Sequence, residues 1–253
     1  MNGPAPRPST VVVVPCYNEA SRLDASEFLR LSESVGVWMV DDGSKDSTGS
    51  ELAAIASRSA GRIRCLANPR NLGKAETVRR HMLEACESGA AFVGFFDADL
   101  ATPVDELLEM LDELADSGAE AVTAARVGLS GRDIHRSGSR HYTGRVFSTI
   151  ASLAIGAPYY DTQCGAKVFR NGAALRAALA EPFLSRWAFD VELLGRLLAG
   201  SRGVAPVDPR RLVEHPLRRW HDVAGSKLTA LDAWRSAVEL ILIWRDLASR
   251  RVR

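Results

Sequence analysis

The stretch AAFVGFFDADLATP, residues 90–103, joins a strand, a pair of acids and a helix start within fourteen positions. It opens with an apolar run that has the length and composition of a buried β-strand. Two carboxylates, Asp97 and Asp99, follow at once. Thr102 and Pro103 then have the pattern of a helix N-cap and a first helical residue. The two acids are therefore predicted to lie in a short link between a buried strand and a helix.

Strand and helix patterns alternate through the first half of the chain. Apolar runs typical of strands buried on both faces lie at 10–15, 35–40, 62–67 and 90–96. Helical patterns lie at 25–33, 48–60, 75–89 and 103–118. Thr48 with Glu51 indicates a capping box at the start of the second helix. This alternation predicts an α/β fold with a mostly parallel central sheet and helices on both faces.

A polar cluster follows each of the four predicted strands. The clusters are PCYNE at 15–19, DDGSKDST at 41–48, NPRNLGKA at 68–75 and DADLATP at 97–103. Each one alone is typical of an ordinary loop. Because ligands of parallel sheets bind beyond the carboxyl ends of the strands, the four together favour one binding site at that edge.

The chemistry of this edge depends on the two acids. Paired carboxylates suit Mg²⁺ or Mn²⁺, which prefer oxygen ligands and complete their shell with substrate phosphates and water. This favours a nucleotide or phosphate substrate, with the metal as a Lewis acid on a leaving diphosphate. The sequence contains no G-x-x-x-x-G-K-[ST] loop and no G-x-G-x-x-G after the first strand, which disfavours two other nucleotide-binding classes. The alternative that Asp97 and Asp99 only mark a loop stays open at this point.

The second half of the chain has a different pattern. We predict a strand at 119–126, a basic loop at 127–145 that runs into a helix at 146–156, and a strand with turns at 160–170. A helix at 187–200, a polar loop at 213–229 and a final helix at 230–253 complete it. With no evident linker or repeat, we expect a single domain over 1–253. Its parts are a flexible arm (1–9), a first half (10–125), a second half (126–227) and the C-terminal helix (228–253).

Composition limits the classes of partner. The 253 residues carry a formal net charge of +1, so no overall field favours nucleic acid, and we expect no such partner. The four cysteines are widely spaced and form no C-x-x-C, which predicts neither a zinc site nor a disulfide framework. No run reaches the ~18 apolar residues of a membrane span. We expect a cytoplasmic protein, with peripheral contact to the cytoplasmic face of a membrane through 146–160 and the final helix as a further expectation.

A family resemblance sharpens this interpretation. The segments VVVVPCYNEASRL, VDDGSKDST, NPRNLGKAETVRRHM and FFDADLATP resemble the signature segments of family 2 glycosyltransferases with the GT-A fold. YDTQCGAKVFR, RWAFDVELL and WHDVAGSKL resemble the dolichyl-phosphate β-glucosyltransferases closely and the polyprenyl-phosphate mannosyltransferases more loosely. The mannosyltransferases tend to carry Gln at the position of Ala101, so a metal contact from that side chain is absent here.

The resemblance implies that 10–125 is the nucleotide-sugar-binding half and 126–227 the acceptor-binding half. It also implies roles for individual residues. The metal ligands are Asp97 and Asp99. The nucleotide-binding positions are Pro15, Tyr17, Glu19, Asp41, Asp42, Lys74, Asp97, Ala98 and Asp99. The acceptor phosphate matches Arg126, Arg136, Ser139 and Arg140, and a mobile loop at 218–227 carries Arg218 and Lys227. The catalytic set is Asp97, Asp99, Arg126, Gln163 and Asp190; Gln163 falls near the donor sugar, and we favour structure or sugar positioning over a catalytic base for Asp190.

The implied reaction is a metal-dependent, inverting transfer of a hexose, glucose from UDP-glucose, to a polyprenyl or dolichyl phosphate. Three alternatives stay open: a GDP-mannose donor, a soluble acceptor, and a nucleotide-sugar-binding protein without turnover. A nucleotidyltransferase is disfavoured because the N-terminal segment has no glycine-rich phosphate loop.

Overall fold

The computed structural model describes the backbone of residues 9–135, 138–201, 203–221 and 230–251, without the side chains of 135, 138–143 and 230–237. The strands are β1 (Thr10–Cys16), β2 (Gly36–Asp41), β3 (Ile63–Ala67), β4 (Phe92–Phe96), β5 (Ala121–Ala125), β6 (Asp133–His135), β7 (Ala166–Arg170), β8 (Leu212–Pro216) and β9 (Arg219–His221). The α-helices are α1 (Ala25–Ser32), α2 (Thr48–Ser57), α3 (Lys74–Glu87), α4 (Val104–Asp116), α5 (Gly138–Ile155), α6 (Ala173–Leu179), α7 (Phe189–Ala199) and α8 (Ala230–Arg251). A 3₁₀ turn at Pro209–Arg211 precedes β8.

Within the described ranges, seven strands form one sheet in the order β3-β2-β1-β4-β7-β5-β8. Neighbouring strands are parallel except at β7, which runs antiparallel to both β4 and β5. The short strands β6 and β9 pair in parallel as a separate ribbon. The predicted fold class, a mostly parallel sheet with helices, is confirmed.

The sheet is buried on both faces, which explains the uninterrupted apolar runs. In β1, Val12 and Val14 pack in a core layer with α1, α2 and α4, while Val13 packs in the opposite layer with α3, α6 and α7. Because successive side chains of a strand point to opposite faces, a strand between two helix layers needs an apolar residue at every position.

Two predictions about the second half are corrected. The polar loop predicted at 213–229 contains β8 and β9 in its described part. The sequence gives no clear strand pattern here, because β8 has one buried position and β9 spans three residues with one buried side chain. The seven-residue helix α6 was not predicted, since it is too short to give a clear helical period.

Both predicted helix caps are also corrected. The residue before α2 is Ser47, and the Thr48 hydroxyl accepts from the backbone N–H of Glu19 at 2.8 Å. Thr48 therefore joins two loops across the sheet edge. Helix α4 is preceded by Pro103, one residue later than predicted, and Thr102 is buried against Cys164.

No helix in the described ranges is long and apolar enough to cross a membrane.

Candidate active site

The two acids of the D-x-D segment lie directly after β4, at the carboxyl edge of the sheet. The backbone N–H of Asp97 donates to the carbonyl oxygen of Gly165 at 2.9 Å, so the start of β7 fixes the start of this segment. Ala98 is buried, whereas Asp97 and Asp99 remain partly exposed. Leu100 has a φ of 53°, which lies in the left-handed region. This conformation is unfavourable for a bulky side chain, and residues that adopt it are enriched at functional sites. The segment thus places both carboxylates on the accessible side.

Lys74, the first residue of α3, provides a cation at this point. Its Nζ lies 2.5 Å from Asp97 Oδ1. Burial acts to lower the pKa of Lys74, but the nearby carboxylates of Asp97, Asp190 and Asp99 outweigh it and raise that pKa. The ammonium therefore stays charged and partly balances the acids.

Carboxylates from two loops converge here. Burial, and then the charge of Asp97, raise the pKa of Asp99. Burial also raises the pKa of Glu19, against the opposing effect of Arg22, and the charges of Asp99 and Asp97 add to the increase. Like-charged oxygen donors held together in partial burial match the donor set that Mg²⁺ and Mn²⁺ prefer. The residues present therefore fit the metal that the family resemblance implies.

A second group of possible ligands lies elsewhere, where α4 meets β8. Glu106, Glu109 and His215 approach one another closely. Both acids of this group have partners. The Glu106 carboxylate accepts from the backbone N–H groups of Arg218 and Arg219, and Glu109 pairs with the Arg218 guanidinium. This group therefore joins β8 and β9 to α4.

The loop after β1 is held against the loop after β2. Asn18 has a φ of 54°, and its side-chain oxygen accepts from the backbone N–H of Lys45 at 2.9 Å. Pro15 lies within β1, whereas the Tyr17 ring is exposed beside this turn. Asp41, at the end of β2, accepts from the backbone N–H of Ser44 at 2.9 Å. The predicted nucleotide-binding residues of these two loops therefore share one edge with the D-x-D segment.

Asp42 organises the loop that leads into α3. It is 2% exposed, and its carboxylate accepts from the Asn68 amide and from the backbone N–H groups of Leu72 and Gly73, each at 2.8 Å. These hydrogen bonds fix the loop that ends where Lys74 begins its helix.

Arg126, directly after β5, is held by a buried acid. Its Nε and Nη2 donate to the Asp161 carboxylate at 2.6 and 2.8 Å, and its guanidinium lies 5.2 Å from the centre of the Trp220 ring. Burial acts to lower the pKa of Arg126, but Asp161, and more weakly Cys164 and Asp97, raise it. Asp161 in turn donates its backbone N–H to Glu214 at 2.8 Å. Of the guanidinium nitrogens, Nη1 makes no hydrogen bond in the described part of the chain.

Asp190, in the first turn of α7, forms a buried ion pair. Its Oδ1 lies 2.7 Å from Lys167 Nζ, and the two side chains are 8% and 0% exposed. Burial raises the pKa of Asp190, while Lys167 and Lys74 act to lower it. This pairing matches a structural or positioning role more closely than that of a free base. Gln163, which precedes β7, is partly buried and donates its backbone N–H to Asp161 at 3.2 Å.

Several predicted residues fall partly or fully outside this description. Arg136 and Lys227 lie outside the described residues. Ser139 and Arg140 lie in the first turn of α5, where only the backbone is described. Arg218 contacts α4 through Glu106 and Glu109, so this end of the predicted mobile loop is anchored.

Two features of the site were missed by sequence reasoning. Gly165 lies so close to Asp97 that an added Cβ would fall 2.1 Å from Asp97 Oδ2. Arg186 lies in the loop before α7, with its guanidinium against Gly73. Gly165 comes close to Asp97 because β7 pairs antiparallel with β4, and no local sequence pattern indicates that pairing. Arg186 lies just before the predicted helix, in the segment RWAFDVELL that contributed to the family resemblance, and it was given no role.

Comparisons with known proteins test the predicted family resemblance. The family model for Glycosyl transferase family 2 matches residues 11–175. Dolichyl-phosphate beta-glucosyltransferase ALG5C from Trichomonas vaginalis is 32% identical over 250 residues, covering 92% of this chain and 70% of that protein. Dolichyl-phosphate beta-glucosyltransferase from Drosophila melanogaster is 32% identical over 256 residues, covering 92% and 73%.

A solved structure supports the fold. Mannosyltransferase PcManGT from Pyrobaculum calidifontis, in complex with GDP-Man and Mn²⁺, superposes with a TM-score of 0.54 at 20% identity. The match covers 96% of this chain, which spans 65% of the length of that one. Together, the comparisons confirm the predicted family resemblance, the fold class and the enzyme class of hexosyltransferase.

Proposed function

Because this chain belongs to glycosyltransferase family 2, we propose that it transfers glucose from UDP-glucose to a polyprenyl phosphate, with Mg²⁺ or Mn²⁺ held by Asp97 and Asp99. The observation that carries the proposal is the convergence of these acids with Lys74 and with the buried Arg126–Asp161 pair at one sheet edge. The similarity to two dolichyl-phosphate glucosyltransferases over 92% of the chain supports the choice of sugar and acceptor.

The donor diphosphate is assigned to the D-x-D side of the edge. A divalent metal bound by Asp97 and Asp99 would supply Lewis-acid stabilisation of the leaving nucleoside diphosphate. Lys74, which pairs with Asp97, adds a positive charge beside the same group. This charge is positioned before the reaction, so little reorganisation accompanies the growth of negative charge on the leaving group.

The base and sugar are assigned to the loops around this point. Pro15, Tyr17, Glu19 and Asp41 line the accessible ends of β1 and β2 and are proposed to bind the nucleotide. Asp42 contributes indirectly, because its carboxylate holds the loop that precedes Lys74. Gln163 and Asp190 are assigned to the sugar, with Asp190 kept in place by Lys167.

The acceptor phosphate is assigned to the Arg126 side. A phosphate monoester has a second pKa near ~6, so it is already an anionic nucleophile at neutral pH and needs no general base. Asp161 occupies the Nε and Nη2 edge of Arg126, which leaves Nη1 to donate to a phosphate oxygen. Arg136, Ser139 and Arg140 are proposed to complete this subsite. In-line attack from this side inverts the anomeric carbon, and the enzyme contributes mainly positioning.

A lipid acceptor also requires access from a membrane, and the packed helices α5 and α8 offer an apolar surface. Exposed apolar side chains lie on both helices: Val146, Ile150 and Leu153 on α5, and Val238, Ile241, Leu242 and Trp244 on α8. Arg250 pairs with Asp246 and Glu181, and Arg251 donates to the Ile155 carbonyl, so these two arginines join α8 to its neighbours. We therefore assign peripheral contact with the cytoplasmic face of a membrane to the apolar side chains and not to the basic end of α8.

The test is a transfer assay followed by extraction into organic solvent. Purified protein is incubated with labelled UDP-glucose or GDP-mannose, a short polyprenyl phosphate, and either Mn²⁺ or EDTA. The proposal expects label in the organic phase only with UDP-glucose and metal. It also expects Asp99→Asn to abolish transfer while Asp116→Asn, at the distant end of α4, retains it.

Other outcomes would correct specific parts of the proposal. Organic label from GDP-mannose would replace the donor and retain the mechanism. Metal-dependent nucleotide release with soluble sugars, and no organic label, would replace the acceptor. Transfer that is undiminished in EDTA would refute the metal assignment.

A further inference from the structure

Arg186 lies beside the active site, although the proposed mechanism gives it no role. Its loop precedes α7, and its guanidinium rests against Gly73, the residue before Lys74. A Cβ added to Gly73 would lie 2.8 Å from Arg186 Nη2, 3.3 Å from Nε and 3.4 Å from the guanidinium carbon. The guanidinium therefore contacts the residue that precedes Lys74 in the chain, and the Lys74 ammonium contacts Asp97.

The guanidinium has no hydrogen-bonding or ion-pairing protein partner within the described ranges. Other arginines near the sheet have partners of their own: Arg79 with Glu76, Arg126 with Asp161 and Arg196 with Glu192. Arg186 is exposed, and no described hydrogen bond or ion pair engages its guanidinium. A cation placed at a substrate edge without a protein partner is available to bind an anion.

Two carboxylates hold the loop that carries Arg186. Glu192, in α7, accepts from the backbone N–H groups of Leu184 and Ser185 at 2.9 and 3.0 Å. Glu239, in α8, accepts from the Ser185 hydroxyl and from the backbone N–H groups of Trp187 and Ala188, both at 3.3 Å. The backbone on each side of Arg186 is thereby fixed, so the guanidinium is directed by the fold and is not simply a long surface side chain.

We propose that Arg186 is a phosphate-binding residue of this active site and that Glu239 positions it. The inference rests on the proposed function, because the phosphate oxygens in question are those of the reacting substrates. The planar fork of arginine can bind two phosphate oxygens at once, whereas Lys74 offers a point charge that Asp97 already engages. The phosphate is either the diphosphate of the donor or the monophosphate of the acceptor, and the experiment distinguishes them.

The experiment combines a binding titration with steady-state kinetics. UDP and GDP are titrated into the wild type and into Arg186→Ala by calorimetry in the presence of Mn²⁺, and the KM for a short polyprenyl phosphate is measured in parallel. Loss of one charged hydrogen-bonding partner weakens binding by about tenfold to a hundredfold. A weaker nucleotide Kd assigns Arg186 to the donor, and a raised acceptor KM with unchanged nucleotide Kd assigns it to the acceptor.

Matched variants control for charge and folding. Arg58→Ala removes an exposed arginine at the end of α2 and is expected to behave as wild type. Arg186→Lys keeps the charge but loses the fork, and should fall between wild type and Arg186→Ala. If Arg186→Ala changes both the nucleotide Kd and the acceptor KM by less than twofold, the inference is wrong.

The role of Glu239 is tested by a double-mutant cycle. Glu239→Gln weakens the hold on the loop and should raise the same constant that Arg186→Ala raises. If Glu239 acts through Arg186, this effect disappears in the Arg186→Ala background, whereas additive effects would contradict a positioning role. A wild type that binds nucleotide but transfers nothing to polyprenyl phosphate would refute the proposed acceptor. The nucleotide titration would still decide whether Arg186 contacts the donor.

Discussion

Replacing Gly165 by alanine should disable the site while leaving the fold in place. Gly165 precedes β7, and its carbonyl oxygen accepts from the backbone N–H of Asp97. An added Cβ would lie 2.1 Å from Asp97 Oδ2, 2.3 Å from its carboxyl carbon and 3.0 Å from its Cβ. The φ of Gly165 lies outside the positive range, so alanine is compatible with the backbone, and the three atoms nearest to the added Cβ all belong to the Asp97 side chain.

The size of the clash determines the expected loss. The closest contact is about 1.3 Å inside the 3.4 Å at which ordinary contact begins, so the carboxylate must rotate by roughly that distance. A displacement of about 1 Å at a reacting centre costs about a hundredfold in rate. The cost in stability is about 1–3 kcal/mol for overpacking, which leaves the fold in place because a short side chain can move without its strand.

The assay compares activity and stability in the same preparations. Gly165→Ala is expected to lower kcat/KM for the nucleotide sugar at least a hundredfold and to weaken Mn²⁺-dependent UDP binding, while urea unfolding stays cooperative. Gly118→Ala is the matched control, because nothing lies within 4 Å of its added Cβ. Wild-type activity in Gly165→Ala would refute the placement of Asp97 against the start of β7, and equal losses in both variants would indicate a general effect on folding.

Three further predictions concern stability and reactivity. Asp42→Ala should lower the free energy of unfolding in urea by about 2–4 kcal/mol, because three buried hydrogen bonds to a carboxylate are lost; a change within error would show that the loop before α3 does not depend on them. Burial lowers the pKa of His81, against the opposing effect of Glu84. As the pH falls below ~6.5, His81 therefore becomes protonated in the unfolded chain before it does in the native protein, and the free energy of unfolding decreases. His81→Gln should reduce this decrease, measured by urea unfolding between pH 7.5 and 5.5. An unchanged decrease would contradict the lowered pKa of His81. Cys65 is exposed while the other three cysteines are buried, so a maleimide should rapidly label one thiol of the native protein and none in Cys65→Ser; fast labelling of a second thiol would contradict this burial.

The first half of the fold could be predicted because its signals are local. A strand buried on both faces needs an apolar residue at every position, and four such runs followed by helices leave few alternatives to a parallel sheet. The edge at which Asp97 and Asp99 meet follows from the same rule. Helix boundaries were less accurate: Thr48 had the sequence of a cap, but its hydroxyl contacts the loop after β1.

The second half and the finer parts of the site depend on distant contacts. The antiparallel direction of β7 is decided by its neighbours β4 and β5, and nothing in AKVFR distinguishes it from a parallel strand. The pairing of Lys74 with Asp97 and the approach of Arg186 to Gly73 join segments far apart in the chain. Sequence spacing could suggest that such residues share an edge, but not which of them touch.

The reversed strand also has a consequence for the order in which the protein folds. Phe96, the residue before the acids, pairs with Ala166, seventy positions later in the chain. The acids are synthesised before β7, yet their final geometry depends on that strand, and such long-range pairing is intrinsically slow. A nascent chain that ends near residue 125 would have the signature segments and the first strands, but β7 would not yet fix the start of the D-x-D segment. The family match covers residues 11–175 and so includes β7, the later strand on which the geometry of the acids depends.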